Sequence, residues 1–421
     1  MKVRLAFPWL ASLALLTTPV QAQDWASDFG GHIKGQVTSS QLPEDSLFRD
    51  LAGSEMTDLA GELRLKFATR RDRWDFKADY QFIALHADSL ALARGLPGLA
   101  LPIQGVIDDD RRWFDLTDTI HDQGNEAVVQ RLDRLSVGLT TERTAWRFGR
   151  QAITWGNGLV FTPMDIFNPF DPAAVDKEYK PGDDMLYGQV LFGNGDDLQG
   201  VAVVRRDPST GDTAADQSSL AFKYHGFAGR WEYDLLAAEH FDDQVLGLGG
   251  NLSAGGAIWR GDLTWTRTAT QEVLSATASA SYSWTWSGRN VSGFLEYYRN
   301  GFGQPSGDYS PNDLLQNPDL LNRLARGEVY TLARNYLAAS ASVEMTPLWM
   351  LTPTVFLNLD DPSALAQVVC RYDWRQNLTV LAALNLPLGP SGSEYGGIES
   401  GRPGRDLSTG PGLFAQLAWY F

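Results

Sequence analysis

The stretch richest in potential chemistry runs from Arg147 to Asp184, RFGRQAITWGNGLVFTPMDIFNPFDPAAVDKEYKPGDD. Arg147 and Gln151 fall at strand spacing and are expected to share a face. Pro163, Pro169, Pro172 and Pro181, together with Gly156 and Gly158, then fix a path that is neither helix nor strand. Trp155, Phe161, Phe167 and Phe170 are too apolar for a loop in water and must pack against something. Between them lie Asp165, Asn168, Asp171, Asp183 and Asp184. Rings and hydrogen-bonding groups on one ordered loop suit noncovalent chemistry, sorting solutes by size and polarity. Catalytic spacing is thinner. None of His32, His86, His121, His225 and His240 sits in a nucleophile-elbow or metalloprotease motif, and Ser391 in Gly389-Pro390-Ser391-Gly392 lacks the glycine two residues on. A triad assembled from separate strands would escape such rules, and His86 and His240 both fall near expected strand ends. The single cysteine, Cys370, and the lack of a Cys/His cluster spaced for zinc imply no metal and no cofactor.

What must position that loop is visible in the rest of the chain. Of 421 residues, 51 are acidic and 35 basic, a formal charge of -16, and this acid excess argues against nucleic-acid recognition, which needs clustered Lys and Arg. A mean hydropathy of -0.23 excludes a multi-helix inner-membrane protein. Lys2 and Arg4, the apolar run Leu5 to Leu16 and the small-residue site Val20-Gln21-Ala22 read as a signal peptide, residues 1–22, leaving 23–421 as the exported domain.

That domain alternates with period two nearly throughout. Trp74, Phe76, Ala78, Tyr80 and Phe82 oppose Asp75, Lys77, Asp79 and Gln81; Val368, Cys370, Tyr372 and Trp374 oppose Gln367, Arg371 and Asp373. Strands are expected near 29–38, 57–68, 73–86, 130–140, 144–154, 185–193, 197–206, 218–225, 229–240, 244–253, 256–267, 273–286, 289–299, 330–344, 347–358, 363–374, 377–387 and 411–421. The long gaps, 39–56, 87–129, 155–184, 207–217, 300–329 and 388–410, are all odd-numbered connections and so share one side, whereas the even ones are tight turns. Aromatics near segment ends and segments of about 10 residues favour a bilayer-spanning barrel over a soluble sandwich. The fold class is all-β: a transmembrane antiparallel β-barrel of about 18 strands, 16 being the alternative, with long extracellular loops, short periplasmic turns and both termini periplasmic.

Leu413, Ala415, Leu417, Trp419 and Phe421 alternate to the end of the chain, and this ending resembles the C-terminal strand that Gram-negative outer-membrane barrels present to their assembly machinery. The Gly149-Arg150-Gln151 strand followed by Trp155-Gly156-Asn157-Gly158 and Asn168-Pro169 resembles uncharacterised proteobacterial porin-like barrels. It is more loosely similar to alginate-export-type barrels. The resemblance covers about forty residues plus the general pattern. It implies a passive channel in the Gram-negative outer membrane, in contact with lipid and lipopolysaccharide, with Phe421 engaging the barrel-assembly machinery. The arginine-rich lumen of alginate-type channels has no counterpart here, which argues against polyanion export.

Lumen candidates read from the alternation are Arg64, Lys66, Lys77, Arg134, Arg147, Arg260 and Arg371 against Glu62, Asp75, Asp79, Glu232, Asp234, Asp262, Glu296 and Asp373, close to balance. The pore or constriction candidates are Arg64, Lys66, Arg147, Gln151, Trp155, Asp165, Asn168, Asp171, Asp183 and Asp184, on the expectation that loop 155–184 folds inward; a compact extracellular cap is the alternative. Residues 87–129, with an apolar run from Leu90 to Val106, and a short helix expected within 311–327 could act as lids or as surface packing. The chain is therefore expected to pass a small or amphipathic solute down its gradient, inward or outward and in the latter case with an inner-membrane pump. The alternatives are a non-conducting scaffold or adhesin and, more distantly, a hydrolase in the barrel wall.

Overall fold

The computed structural model describes residues 26–95 and 107–421; the signal-like start, the cleavage position after Ala22 and most of the apolar run to Val106 lie outside them. The described chain forms β1 (Ala26–Gln41), β2 (Glu55–Arg71), β3 (Trp74–Ala87), β4 (Thr117–Gln123), β5 (Glu126–Thr140), β6 (Thr144–Gln151), β7 (Asp183–Leu191), β8 (Asp197–Val203), β9 (Ser219–Ala228), β10 (Trp231–His240) and β11 (Asp243–Ala254). The series continues with β12 (Ala257–Arg267), β13 (Glu272–Trp286), β14 (Arg289–Arg299), β15 (Asn335–Thr346), β16 (Trp349–Asn358), β17 (Ala364–Arg375), β18 (Leu378–Leu388), the small pair β19 (Ile398–Arg402) and β20 (Arg405–Leu407), and β21 (Gly412–Tyr420). Short helices α1 (Arg49–Ala52), α2 (Asp88–Gly95), α3 (Pro311–Leu315) and α4 (Pro318–Arg326) lie in the long connections. No helix among the described residues is long and apolar enough to cross a membrane.

Each main strand pairs antiparallel with its neighbours, and β1 pairs with β21 from His32↔Tyr420 to Ser40↔Gly412, closing the ring. β4 pairs with β5 alone, so the closed barrel has the eighteen strands expected. Closure leaves no sheet edge within the wall, which a strand-built membrane span requires. The even connections, such as 72–73, 229–230, 287–288 and 376–377, are short; every long one is odd and lies at the opposite end.

The burial pattern is inverted relative to a water-soluble protein. Trp74, Trp231, Trp286 and Trp374 are more than half exposed on the outer face, all within two residues of short turns. Leu235, Leu246, Leu263 and Leu295 are exposed nearer mid-strand, while Arg64, Asp234, Asp262 and Glu296 are buried inside. An apolar outer band with a ring of tryptophans at one end matches a bilayer and one of its interfaces.

Three departures from the alternation matter for the site. A bulge in the β3–β5 ladder pairs Asp79 with Arg134 and Tyr80 with Leu132, skipping Asp133. Side-chain parity inverts there, so Arg131 and Asp133 face inward along with Arg134. Second, β6 stops at Gln151 rather than continuing to 154, and β4 takes its place beside the upper half of β5. Third, the outward face of β6 and β7 is covered near the long-loop rim by residues 109–116. Trp113 stacks on Phe114, and both meet the outward ring of Phe148 edge-on.

Candidate functional site: a loop held across the lumen

Residues 152–182 leave β6 and enter the barrel. Gly156 has φ +96°, and a Cβ at Gly158 would meet the Phe161 carbonyl oxygen at 1.9 Å, so this Gly-Asn-Gly turn tolerates no side chain at its second glycine. The rings expected to need packing find it on the inner wall. Trp155, Met164 and Phe167 pack against Met185, Val201, Val203, Leu236 and Val245. Phe161 stacks on Tyr298 at 4.5 Å and 7° and packs with Tyr336 and Phe356. The inward fold, rather than an extracellular cap, is the arrangement observed.

Carboxylates of the wall hold the loop by its backbone. Glu296, fully buried on β14, accepts the amides of Leu159 (2.7 Å), Val160 (3.0 Å) and Phe161 (2.7 Å). Asp262 on β12 accepts the amides of Asn157 (2.7 Å) and Gly158 (3.3 Å), and the Asn157 side chain bonds both Asp262 and Asp234. Within the loop, Asp165 is paired with Lys180 at 2.6 Å, and Lys180 also donates to the Ile153 carbonyl. Burial pushes the Asp165 carboxyl up to about 6 against the pull of Lys180.

Further along, the loop meets a basic wall. Lys34 on β1 bonds Asp176 and Glu178, both at 2.7 Å; Gln416 and Tyr420 on β21 reach the same two carboxylates at 2.8 Å. Burial raises these two acids, but the bonds from Lys34 hold both below the usual carboxylate range. The Tyr179 ring lies 4.0 Å from the Arg64 guanidinium, 5.4 Å from His32 and within 5.6 Å of Lys34 and Lys66, and Lys66 donates to its hydroxyl. Arg64 is itself paired with Asp133 at 2.7 Å, and Arg131 bonds Asp133 at 2.5 Å. A cavity of about 300 Å3 lies between Tyr179, Lys180 and this wall. A second, of about 330 Å3 at the long-loop mouth, is lined by Asn168, Asp183, Arg205 and Arg326. A third, of about 1440 Å3, opens at the short-turn mouth beneath Val175 to Glu178.

The sequence-derived candidates therefore separate. Arg64, Lys66, Trp155, Asp165 and Asn168 lie in or against the lumen loop, and Asp183 lines the long-loop cavity in an ion pair with Arg205 at 2.6 Å. Arg147 pairs with Asp75 on the inner wall, Gln151 caps backbone carbonyls, and Asp171 accepts from the Ala173 amide within the loop. Asp184 is corrected. Met185 points inward, so Asp184 points outward, where it binds Arg150 at 2.9 Å beneath the covering segment with Asp109. Arg150 was legible: it shares parity with outward Trp146 and Phe148, and a charge on that face needs a cover.

Of the histidines, His240 completes a spatial line with Ser219 (Oγ to Nδ1, 2.8 Å) and Glu328 (Nε2 to Oε1, 3.4 Å). Arg205 donates to the same Ser219 oxygen at 2.7 Å. The line ties β9 and β10 to the α3–α4 connection, where Arg323 also bonds Asp243 at 2.5 Å. The helix expected within 311–327 is present as α3 and α4, with Leu320 of α4 packed on Val273 and Phe302.

No protein-family model matches the chain. No curated protein matches it either. Solved barrels do. A BenF-like porin from Pseudomonas fluorescens Pf-5 superposes with a TM-score of 0.52 at 9% identity, covering 94% of this chain and 98% of that one. OccAB4 of Acinetobacter baumannii gives 0.53 at 8% identity over 96% and 100%. Wzi of Escherichia coli, an outer-membrane protein involved in group 1 capsule assembly and described as a carbohydrate-binding β-barrel, gives 0.50 at 9% identity over 93% and 84%. The chain has the fold of these porin-like outer-membrane barrels.

Proposed function

We propose that this porin-like barrel is an outer-membrane channel through which a small or amphipathic solute diffuses passively, with residues 152–182 forming its constriction. The observation that carries this reading is the anchoring of one loop from Glu296 on β14 to Lys34 on β1, with cavities on both sides of it. Such a loop narrows a lumen without sealing it by secondary structure. Arg64, Lys66 and Arg147 with Asp183 provide charges of both signs along the path, and a mixed-sign lining orients polar solutes. Direction is set by the gradient, so uptake and export with an inner-membrane pump are served by one pore. The short-turn end would face the periplasm, the outer band would contact lipid and lipopolysaccharide, and the strand ending at Phe421 would be what the assembly machinery engages.

The test is single-channel conductance in a planar bilayer, comparing the native chain with one in which a short Gly–Ser linker replaces residues 155–180. The ends to be joined are neighbours, since Gln151 pairs with Asp183. Discrete steps that grow on replacement are expected. Silence from both, with folding confirmed, would refute the channel and favour a non-conducting scaffold or adhesin.

A further inference from the structure

The large cavity at the short-turn mouth has a wall that a polar lumen does not need. On β17 the inward residues are Gln367, Val369, Arg371 and Asp373, and on β16 and β18 they include Met350 and Leu381. The ladder places them together: Val369 faces Thr352 on β16, and Arg371 lies between Met350 and Leu381. Met350 is 43% exposed, with Leu348 beside it in the turn at 53%. These side chains border the cavity on the face turned away from lipid, where the loop comes no closer than the cavity's own lining at Val175 to Glu178. An apolar surface left open to water inside a channel is stabilised by whatever apolar body covers it in passing.

The rest of the lining fixes the partner's polarity. Three acids, Asp176, Glu178 and Asp373, and three bases, Lys177, Arg371 and Arg375, border the cavity. Asp373 is paired with Arg371 at 3.2 Å, and Asp176 and Glu178 are held by Lys34. The side chains bordering the cavity thus balance in charge, three against three, and Thr352, Thr379, Gln376 and Asn377 add neutral hydrogen-bonding groups.

We infer that this vestibule binds a neutral amphipathic solute, its apolar body on Met350, Val369 and Leu381 and its polar end on the neutral rim. The inference deepens the channel reading and rests on it for transport, though not for binding. The probe is a homologous series of methyl, butyl and hexyl β-glucosides, titrated by calorimetry into the full barrel in lipid nanodiscs. Affinity should rise with chain length, by up to about fourfold per methylene fully buried. That rise should flatten in a Met350→Thr/Val369→Thr/Leu381→Thr variant and shrink in the near-isosteric Val369→Thr, which guards against misfolding. Val368→Thr, on the lipid side of the same strand, should leave it unchanged. A chain-length dependence identical in native and triple-variant proteins, or no binding beyond empty nanodiscs, would overturn the inference. Conductance without chain-length dependence would sink this inference alone; binding without conductance would uphold it and sink the channel.

Discussion

Two sides of the lumen hold the same loop by different means. On the acidic side, Asp262 and Glu296 grip main-chain amides from Asn157 to Phe161, with the Asn157 side chain the one side-chain partner they add. On the basic side, Lys34, Arg64 and Lys66 engage Asp176, Glu178 and the ring and hydroxyl of Tyr179. Backbone capture by a buried carboxylate fixes a segment in place, because release would strand several donors and a buried charge together. Ion pairs and ring contacts beside a cavity can be exchanged for water or solute one at a time. The loop is clamped at one end and latched at the other.

The sharpest way to break that comparison is Glu296→Ala. It removes the acceptor of three amides, each charge-assisted bond contributing about 1.5–3 kcal/mol, so hydrogen exchange at Leu159 to Phe161 should accelerate strongly and conductance should rise. Unchanged protection would mean that ring packing, not the carboxylate, is the clamp. Asp262→Ala should follow with a smaller effect, roughly 2–4 kcal/mol, because one of its two amide contacts is long and Asp234 keeps a bond to Asn157. Tyr179→Ala should loosen only the latch, by roughly 1–2 kcal/mol of cation–π contact, making Lys177 more accessible to trypsin while the amides near Glu296 stay protected. Loss of protection at both ends would show one cooperative unit instead of two.

A fourth, still smaller effect comes from the Asp165–Lys180 pair, which belongs to neither wall. With its carboxyl at about 6, above the unfolded value of 3.8, the folded loop takes up a proton before the unfolded one does. This group's contribution to loop stability therefore grows as pH falls through about 6 toward 4, and shrinks on the way back up. The exchange protection factor of the Trp155 amide, which donates to Asp165, should be no lower at pH 5 than at pH 7.5 once the intrinsic pH dependence of exchange is divided out. A lower protection factor at pH 5 would mean that the ion pair outweighs burial.

The strand count was legible because a two-residue period with one face in lipid leaves little freedom of register. The same rule located Glu296 and Asp262 inside without saying what they hold, since the amides they bind lie more than a hundred residues away. It missed Arg131 and Asp133, because the bulge that inverts parity has no glycine or proline to announce it. It passed over Val369 because polar neighbours on the same face made that face look uniformly wet. Asp184 went to the wrong side because a strand shows which residues alternate, and not that another loop will cover a charged outer rim.

The anchoring of Asp176 and Glu178 bears on how the molecule is made. Both carboxylates reach Lys34 on the first strand and Gln416 or Tyr420 on the last, so the loop straddles the join where the ends of the chain meet. That pairing has nearly the greatest sequence separation the chain allows, and contacts so distant form slowly. A mid-chain segment that grips both strands acts as a basting stitch, holding the cut edges together while the final ladder zips. Shortening this loop should leave a finished barrel standing and slow the step that finishes it.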